Sequence, residues 1–374
     1  LQGEIRFDNA GMRLRIERGR SAGLDISGVE VRIPDLGQAP RVLVKGRWAG
    51  DAAQALAFVR ATPIHGWTQQ AFGQAQALGP AAIGGELQLS IPIDRASEAT
   101  VQGTVQLPAQ GLGLRLRDDL PTFTQLRGSA SFSEQGLQLR GLQGRFLGGE
   151  LRVGGGTRPE DGTLYIEASG QASSEGLRAA AREWPALGLL APRLAGQADY
   201  RLRLAFKGAQ PELELRSTLQ GMVSNWPAPL AKAGGEALPL LLRVQPQEGS
   251  REVWGLSLGE GSAQVLEALL ERDGLRTRRG AIRIGSAGVL PLPDSGVKLL
   301  WAAPQIDLDP WRALLGGEPL AADAWLPDLI ELQTPLLRVA QRRLTGLQAG
   351  LRLAANRHDW RVQLRAEQLA GEAE

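Results

Sequence analysis

Few residues of this 374-residue chain have the types and spacing that catalysis requires. It contains only two histidines, His65 and His358, and each stands among residues that favour turns. A Ser–His–Asp triad or a histidine zinc site needs further groups around the imidazole, and no nucleophile-elbow, phosphate-loop or metalloprotease-helix spacing supplies them. The sequence therefore predicts solvent-facing turn residues at both histidines and no metal site.

Two pairs of carboxylates are the remaining candidates for chemistry, because a glycosidase needs only two carboxyl groups at a suitable separation. Asp118-Asp119 stands before a Leu-Pro dipeptide and is typical of a turn. Asp307 and Asp309 stand before a proline and are typical of a helix cap. A carbohydrate-active enzyme that uses Asp119 or Asp307 therefore ranks last among the functional hypotheses.

Composition excludes several other classes of protein. The formal net charge of +2 comes from interspersed charges, and no Lys/Arg run with interleaved aromatic residues predicts a nucleic-acid surface. Without cysteine, the chain has neither a disulfide framework nor a thiolate metal site. No apolar run reaches the roughly 20 residues that span a bilayer. We expect no catalytic residue, no cofactor and no nucleic-acid partner.

The strongest pattern in the chain is an alternation of apolar and polar residues, which places successive side chains on opposite faces of a strand. In the clearest instance, the residues that share one face are Tyr200, Leu202, Leu204 and Phe206. The same alternation recurs from one end of the chain to the other. A content of 48 glycines and 22 prolines favours many short strands over long helices. The sequence predicts a mainly β fold.

Three short helices are also predicted. The first follows an Asp51 cap over residues 52–60, the second follows Ser173 or Ser174, and the third begins at Asp309. Alternation ordinarily produces a closed sandwich or barrel. These helices, however, are too few and too short to cover the apolar face of roughly fifteen or more strands, and so many strands must curl or split. We therefore expect a long, strongly curved antiparallel sheet that forms an apolar-lined groove.

An apolar groove of this kind suits the acyl chain of a lipid. Burying each methylene is worth about 0.8 kcal/mol, so burial of an acyl chain of about sixteen carbons is worth on the order of 13 kcal/mol. A lipid that passed through water would lose this free energy. A continuous apolar trough lets the chain slide at nearly constant free energy. The lining residues that we predict are Tyr200, Leu202, Leu204, Phe206, Leu213, Leu215, Leu351, Leu353, Val362 and Leu364.

Four stretches of the chain carry recognisable motifs. They are Asn225-Trp226-Pro227-Ala228-Pro229-Leu230-Ala231-Lys232 with Leu238-Pro239-Leu240, residues 278–285, residues 304–311 and residues 347–372. These stretches resemble the YhdP-type, AsmA-like family of Gram-negative bacteria. The resemblance covers most of the chain, best from about Gly196 onward. Its motifs are structural, and none of them is catalytic.

The resemblance implies a periplasmic protein built as a repeating β-groove, which moves phospholipid between the inner and outer membranes and supports outer-membrane integrity. Its partners would be phospholipid acyl chains and, through regions outside this chain, the two membranes. It further implies anchoring to the inner membrane by a segment that this chain lacks. Residues 1–374 would then be one segment of a longer protein, with a sub-boundary at the helical stretch 172–195.

A second hypothesis stays open beside lipid transport. The chain could be a structural or assembly factor of the cell envelope, which binds proteins or glycans without carrying lipid. That hypothesis predicts a closed core and no bound lipid, whereas lipid transport predicts an open apolar face.

Overall fold

Antiparallel strands account for most of the structure, which is a computed structural model. It describes residues 2–8, 10–37, 40–95, 98–118, 120–183, 187–188, 190–208, 210–274, 276–285, 288–315, 327–353, 360–367 and 369–373. Contacts divide the chain into two units. Unit 1 comprises Leu1–Gln171 and Arg203–Pro211, and unit 2 comprises Ala172–Leu202 and Glu212–Glu374.

The strands of unit 1 pair mainly in chain order. They are β1 (Gln2–Asp8), β2 (Gly11–Ser21), β3 (Leu24–Ile33), β4 (Arg41–Asp51), β5 (Gln76–Leu78), β6 (Ala82–Pro92), β7 (Thr100–Gln106), β8 (Leu112–Arg115), β9 (Phe123–Ser133), β10 (Gly136–Phe146) and β11 (Gly148–Thr157), followed by β12 (Leu164–Ser173). An antiparallel ladder runs β1–β2–β3–β4–β6–β7–β9–β10–β11. A smaller antiparallel ladder, β5–β8–β9, branches from it.

The strands after the division begin with β13 (Leu194–Phe206), whose last residues belong to unit 1. The others are β14 (Pro211–Ser217), β15 (Met222–Ser224), β16 (Leu240–Pro246), β17 (Arg251–Leu258), β18 (Leu266–Asp273), β19 (Arg276–Gly285), β20 (Gly296–Ala302), β21 (Gln305–Asp307), β22 (Leu329–Val339), β23 (Arg342–Leu353), β24 (Trp360–Ala366) and β25 (Leu369–Ala373). Within unit 2, a ladder runs β14–β16–β17–β18–β19–β20–β22–β23–β24–β25.

The predicted fold class is confirmed, because the chain is mainly β, rich in antiparallel pairs, and has few short helices. One part of unit 2 departs from the expected antiparallel order: β19 pairs with β20, and β20 and β21 pair with β22, in parallel. The segment after β19 brings the chain back to the starting end of that strand. A parallel pair requires such a crossover, whereas a tight hairpin turn can join only antiparallel strands.

The helices are α1 (Ala52–Ala61), α2 (Ile64–Trp67), α3 (Ser174–Ala180) and α4 (Asp309–Leu315). The Asp51 carboxylate accepts the N–H of Ala53 at 2.9 Å and so caps α1. In the same way, the Ser173 hydroxyl accepts the N–H of Gly176 and caps α3. All three predicted helices are therefore confirmed, and α2 is an additional short helix.

Two antiparallel hairpins form in the second half of the chain. In the first, β18 and β19 pair antiparallel around Gly274, whose φ of 57° is left-handed and favours glycine. In the second, β23 and β24 pair antiparallel.

Few side chains of the described residues are completely enclosed. The large side chains below 2 % exposure are Leu151, Leu164, Ile306, Leu347, Thr163 and Thr334. The chain has a solvent-accessible surface of 21625 Å², whereas two separate globules of half its mass would together expose about 17,000 Å². The chain therefore exposes more surface than two compact globules of the same total mass would.

Candidate functional site

A row of apolar side chains crosses six strands of unit 1. Residues directly paired in adjacent strands point to the same face of a sheet. Successive pairs therefore place on one face the residues Ile5, Leu14, Val31, Val44, Leu89 and Val101. We call this set the unit 1 row. Val101 is buried, Ile5 is 59% exposed, and the four residues between them are half-buried.

The opposite face of the same strands is polar. The neighbouring residues on these strands are also paired with one another, and they point to the other face. They are Arg15, Glu30, Lys45, Gln88, Gln102 and, on β9, Ser133. Arg32 and Arg13 both lie within ion-pair distance of the Glu30 carboxylate. Period-2 alternation and strand register thus give unit 1 one apolar and one charged face.

Unit 2 contains a longer apolar row that crosses nine strands. We call it the first unit 2 row, and its members are Leu215, Leu242, Leu256, Ala268, Ile282, Leu299, Ile330, Leu351 and Val362. Because neighbouring strands lie about 4.8 Å apart, the row is roughly 40 Å long. Only Ala268 and Ile282 are buried, and the other members are half-buried.

A second unit 2 row lies two residues further along the same strands. Its members are Leu240, Leu258, Leu266, Ile284, Trp301, Leu332, Ala349 and Leu364. The two rows are packed together through Leu266 and Leu299, which contact the buried members of both apolar clusters in this unit. Leu308, just before α4, and Trp311 on α4 also pack against the buried cluster that includes Trp301 of the second row. The apolar face of unit 2 is therefore continuous across its strands.

Charged pairs occupy the other face of unit 2. The Glu214 carboxylate on β14 accepts hydrogen bonds from Arg216 at 2.7 Å and Arg243 at 3.1 Å. These two guanidinium groups hold the pKa of Glu214 at about 2, below its ordinary value of 4.5, with the Arg216 hydrogen bond as the largest cause. Arg279 similarly binds both carboxylate oxygens of Glu271. These pairs keep the polar face hydrated.

The predicted lining residues fall into two groups. Those on β13 are almost fully buried, with exposures of 4% for Tyr200, 7% for Leu202, 6% for Leu204 and 3% for Phe206. Burial also raises the pKa of Tyr200 above its ordinary value. The remaining six are half-buried, and they are Leu213, Leu215, Leu351, Leu353, Val362 and Leu364.

Four of these half-buried residues belong to the unit 2 rows. Leu215, Leu351 and Val362 are in the first row, and Leu364 is in the second. The sequence prediction omitted the whole unit 1 row and most members of the unit 2 rows. Alternation marked many of those strands, but only the pairing of distant strands aligns their apolar residues.

The carboxylates considered for chemistry bind polar groups of the protein. The Asp307 side chain accepts the N–H of Asp309 at 3.0 Å, and the Asp309 side chain accepts the N–H of Ala340 at 2.6 Å. The Asp118 side chain accepts a hydrogen bond from Gln76 Nε2 at 3.0 Å. Asp307 binds the first N–H of α4, as the predicted cap would, whereas Asp309 binds the N–H groups of Ala340 and Gln341 and so does not cap the helix.

One expectation about the histidines is wrong. His65 lies in α2 and is half-buried, because the fixed φ of Pro63 starts a helical turn at this point. His358 and Asp119 lie outside the described residues. Within the described ranges, no group of three or more His, Asp or Glu side chains could hold a metal ion. No helix of the described chain has the length and apolar composition to cross a membrane.

The family of the chain follows from its whole length. A sequence profile of the family described as "YhdP protein" matches residues 1–374. The chain belongs to the YhdP family. This match confirms the resemblance drawn from the four stretches of motif, and it extends across both units.

One curated YhdP relative shows what a longer member of the family looks like. It is the "Intermembrane phospholipid transporter YhdP" of Escherichia coli (strain K12), 23% identical over 349 residues, which are 92% of this chain. The chain spans only 27% of that relative's length. The relative's name describes a transporter, in agreement with the prediction of a non-enzymatic protein. No solved structure matches the chain.

Proposed function

We propose that this chain is a non-enzymatic, lipid-conducting segment of the Gram-negative envelope, which carries phospholipid between the inner and outer membranes and so supports outer-membrane integrity. The observation that carries the proposal is the set of apolar rows, which run across the strands and most of whose members are only partly buried. Membership of the YhdP family and the transporter name of the E. coli relative support the same assignment.

The dimensions of the first unit 2 row fit this function. At roughly 40 Å, it exceeds the about 15 Å that one leaflet contributes to a bilayer's hydrocarbon core of about 30 Å. An acyl chain on such a surface exchanges one set of apolar contacts for an equivalent set as it moves. Each displaced methylene retains about 0.8 kcal/mol of burial, so no large barrier opposes sliding along the row.

We further propose that residues 1–374 are one segment of a longer repeating β-groove protein in the periplasm, with a sub-boundary near residues 172–195. Anchoring to the inner membrane and contact with the outer membrane then belong to regions outside this chain. The 27% share of the E. coli relative that the chain covers supports this arrangement. Among the residues of the groove, we include the buried β13 residues Tyr200, Leu202, Leu204 and Phe206 as well as the apolar rows.

Lipid binding by the purified chain tests the proposal. After incubation with phospholipid vesicles, native mass spectrometry should detect bound phospholipid on the wild type. Leu364→Asp should lose most of it, because it puts a charge into the second unit 2 row. Gln363→Asp is the matched control, since Gln363 is exposed on the opposite face of the same strand.

The alternative hypothesis gives a different result. If the folded wild-type chain carries no phospholipid but retains envelope proteins or glycans in pull-downs, the chain is a structural or assembly factor. Equal lipid loss from both variants would show that the apolar rows are not the binding surface. Circular dichroism of each variant ensures that folded proteins are compared.

A further inference from the structure

Three tryptophans of unit 2 form a cluster at the margin of its apolar face. The ring centroids of Trp226 and Trp311 are 5.8 Å apart, and those of Trp311 and Trp301 are 5.1 Å apart with an edge-to-face geometry. Trp301 is the penultimate residue of β20 and a member of the second unit 2 row. The cluster therefore lies where the apolar face reaches the end of a strand.

The other two tryptophans are held above Trp301 by different elements. Trp226 follows β15 on the connection to β16, and Trp311 lies on α4. The Trp311 indole N–H donates to the carbonyl oxygen of Ala228 at 3.2 Å and so ties α4 to that connection. Trp311 of α4 thus contacts Trp301, a central member of the second unit 2 row, and the connection packs against Trp311.

Two indole N–H groups in this cluster have no hydrogen-bond partner. Trp226 is 8% exposed and Trp301 is 7% exposed, and the Nε1 atom of each is fully buried without an acceptor among the described residues. Leaving a buried donor unpaired costs about 1–3 kcal/mol, and native proteins rarely tolerate it. Two such donors in one cluster on an apolar face indicate a ligand that supplies acceptor oxygens.

A positive charge lies beside one of the two tryptophans, Trp226. The Arg193 guanidinium is 5.6 Å from the centre of the Trp226 ring. In the described part of the chain, Arg193 makes no ion pair with a carboxylate, unlike Glu214-bound Arg216 and Arg243. Arginine binds phosphate well because its planar fork offers several donors at once.

We propose that the Trp226–Trp301–Trp311 cluster is a binding subsite for the oxygen-bearing part of a glycerophospholipid. The indole N–H groups of Trp226 and Trp301 donate to ester or phosphate oxygens, and Arg193 binds the phosphate. The acyl chains then extend along the second unit 2 row. This inference rests on the proposed lipid-conducting function and adds to it a point at which the lipid is recognised by polar contacts.

The subsite gives the protein a means of selection that apolar rows lack. Indole N–H groups only donate, so they bind a lipid that carries acceptor oxygens and remain unpaired beside a pure hydrocarbon. A surface made only of leucine and isoleucine binds both kinds of molecule according to buried area. Tryptophan suits this position because one end of its ring is apolar and the other is polar.

Binding measurements with three probes test the subsite in the purified full chain. The probes are a dioleoyl phospholipid, dioleoylglycerol, which has the esters without the phosphate, and diphenylhexatriene, which is a hydrocarbon. Phenylalanine keeps an aromatic ring but removes the N–H group. Trp226→Phe with Trp301→Phe should therefore weaken phospholipid binding about tenfold, and each single variant about threefold, with diphenylhexatriene binding unchanged.

The probes also separate ester from phosphate oxygens. If the indole groups bind esters, dioleoylglycerol loses affinity together with the phospholipid. If they bind phosphate, only the phospholipid loses affinity. Arg193→Gln should weaken binding of the phospholipid alone, and Arg203→Gln is its control, because Arg203 is exposed and paired with Glu167.

The remaining outcomes overturn the subsite. Equal loss of all three probes would mean that the cluster only packs, and unchanged phospholipid binding would mean that the donors do not contact lipid. Both outcomes leave the proposed function intact. By contrast, a wild-type chain that binds none of the probes contradicts the proposed function itself. If the double variant does not fold, the two single variants decide the question.

Discussion

At the scale of single residues, charged groups on the polar face stabilise strands whose other face is open. Glu214 is the clearest case, because Arg216 and Arg243 both donate to its carboxylate and hold its pKa at about 2. A carboxylate whose pKa is lowered by folding contributes stability above its ordinary pKa. That contribution disappears as the pH falls from 4.5 through about 2.

Glu214→Gln should therefore lower the free energy of unfolding near pH 6 by about 1 kcal/mol, since water screens the two arginines. The difference from wild type should shrink as the pH falls below the ordinary carboxylate pKa. Urea unfolding at pH 6 and at pH 3 measures it, with Glu212→Gln, an exposed neighbour on the same strand, as the control. A difference of the same size at both pH values would refute the assigned role of the pair.

Sequence predicted some of these residue roles and not others. The caps at Asp51 and Ser173 could be predicted because a cap binds an N–H only two or three residues away. The contact of Asp309 could not, because its carboxylate accepts from Ala340, which is 31 residues distant. The pairing of Arg243 with Glu214 likewise depends on two strands that are far apart in sequence.

At the scale of elements, close contact between paired strands limits what some positions accept. Gly103 on β7 is directly paired with Phe132 on β9. A Cβ on Gly103 would lie 2.3 Å from the Phe132 ring, which covers the glycine. Van der Waals contact requires a much larger separation, so the ring or the backbone must move if any side chain is added.

Gly103→Ala should consequently reduce the free energy of unfolding by about 1–3 kcal/mol. The matched control is Gly154→Ala on β11, where a Cβ would meet no atom within 4 Å. Its free energy of unfolding should stay within about 0.5 kcal/mol of the wild-type value. Urea midpoints of the two variants, compared with the wild type, give the result. Similar midpoints for both variants would contradict the β7–β9 pairing.

Element types were more predictable than element partners. Period-2 alternation identified many of the strands, and caps identified three of the helices, because both signals are local. The parallel pairs β19–β20 and β20–β22 were not predicted, because alternation is the same in parallel and antiparallel strands. For the same reason, the sequence indicated Leu351 and Val362 as apolar strand residues but did not align them with Leu215 and Leu256.

At the scale of the whole chain, the strand register within each unit places the alternating apolar residues on one continuous face. The unit 1 row and the two unit 2 rows run across their strands, and most of their members are half-buried. A closed core would enclose such side chains almost completely, whereas most members of these rows remain partly accessible to water. The opposite faces carry charges and keep an extended apolar surface soluble.

The central claim is that phospholipid lies on the apolar rows, and crosslinking in cells tests it most directly. A photoreactive amino acid is introduced into the full-length protein at apolar-row positions and, as controls, at the next residue on the opposite face. The row positions are Leu14, Leu256 and Val362, and their controls are Arg15, Ser257 and Arg361. Mass spectrometry should find phospholipid adducts at the three row positions and few at the controls. Adducts confined to the controls, or equally frequent on both faces, would contradict the claim.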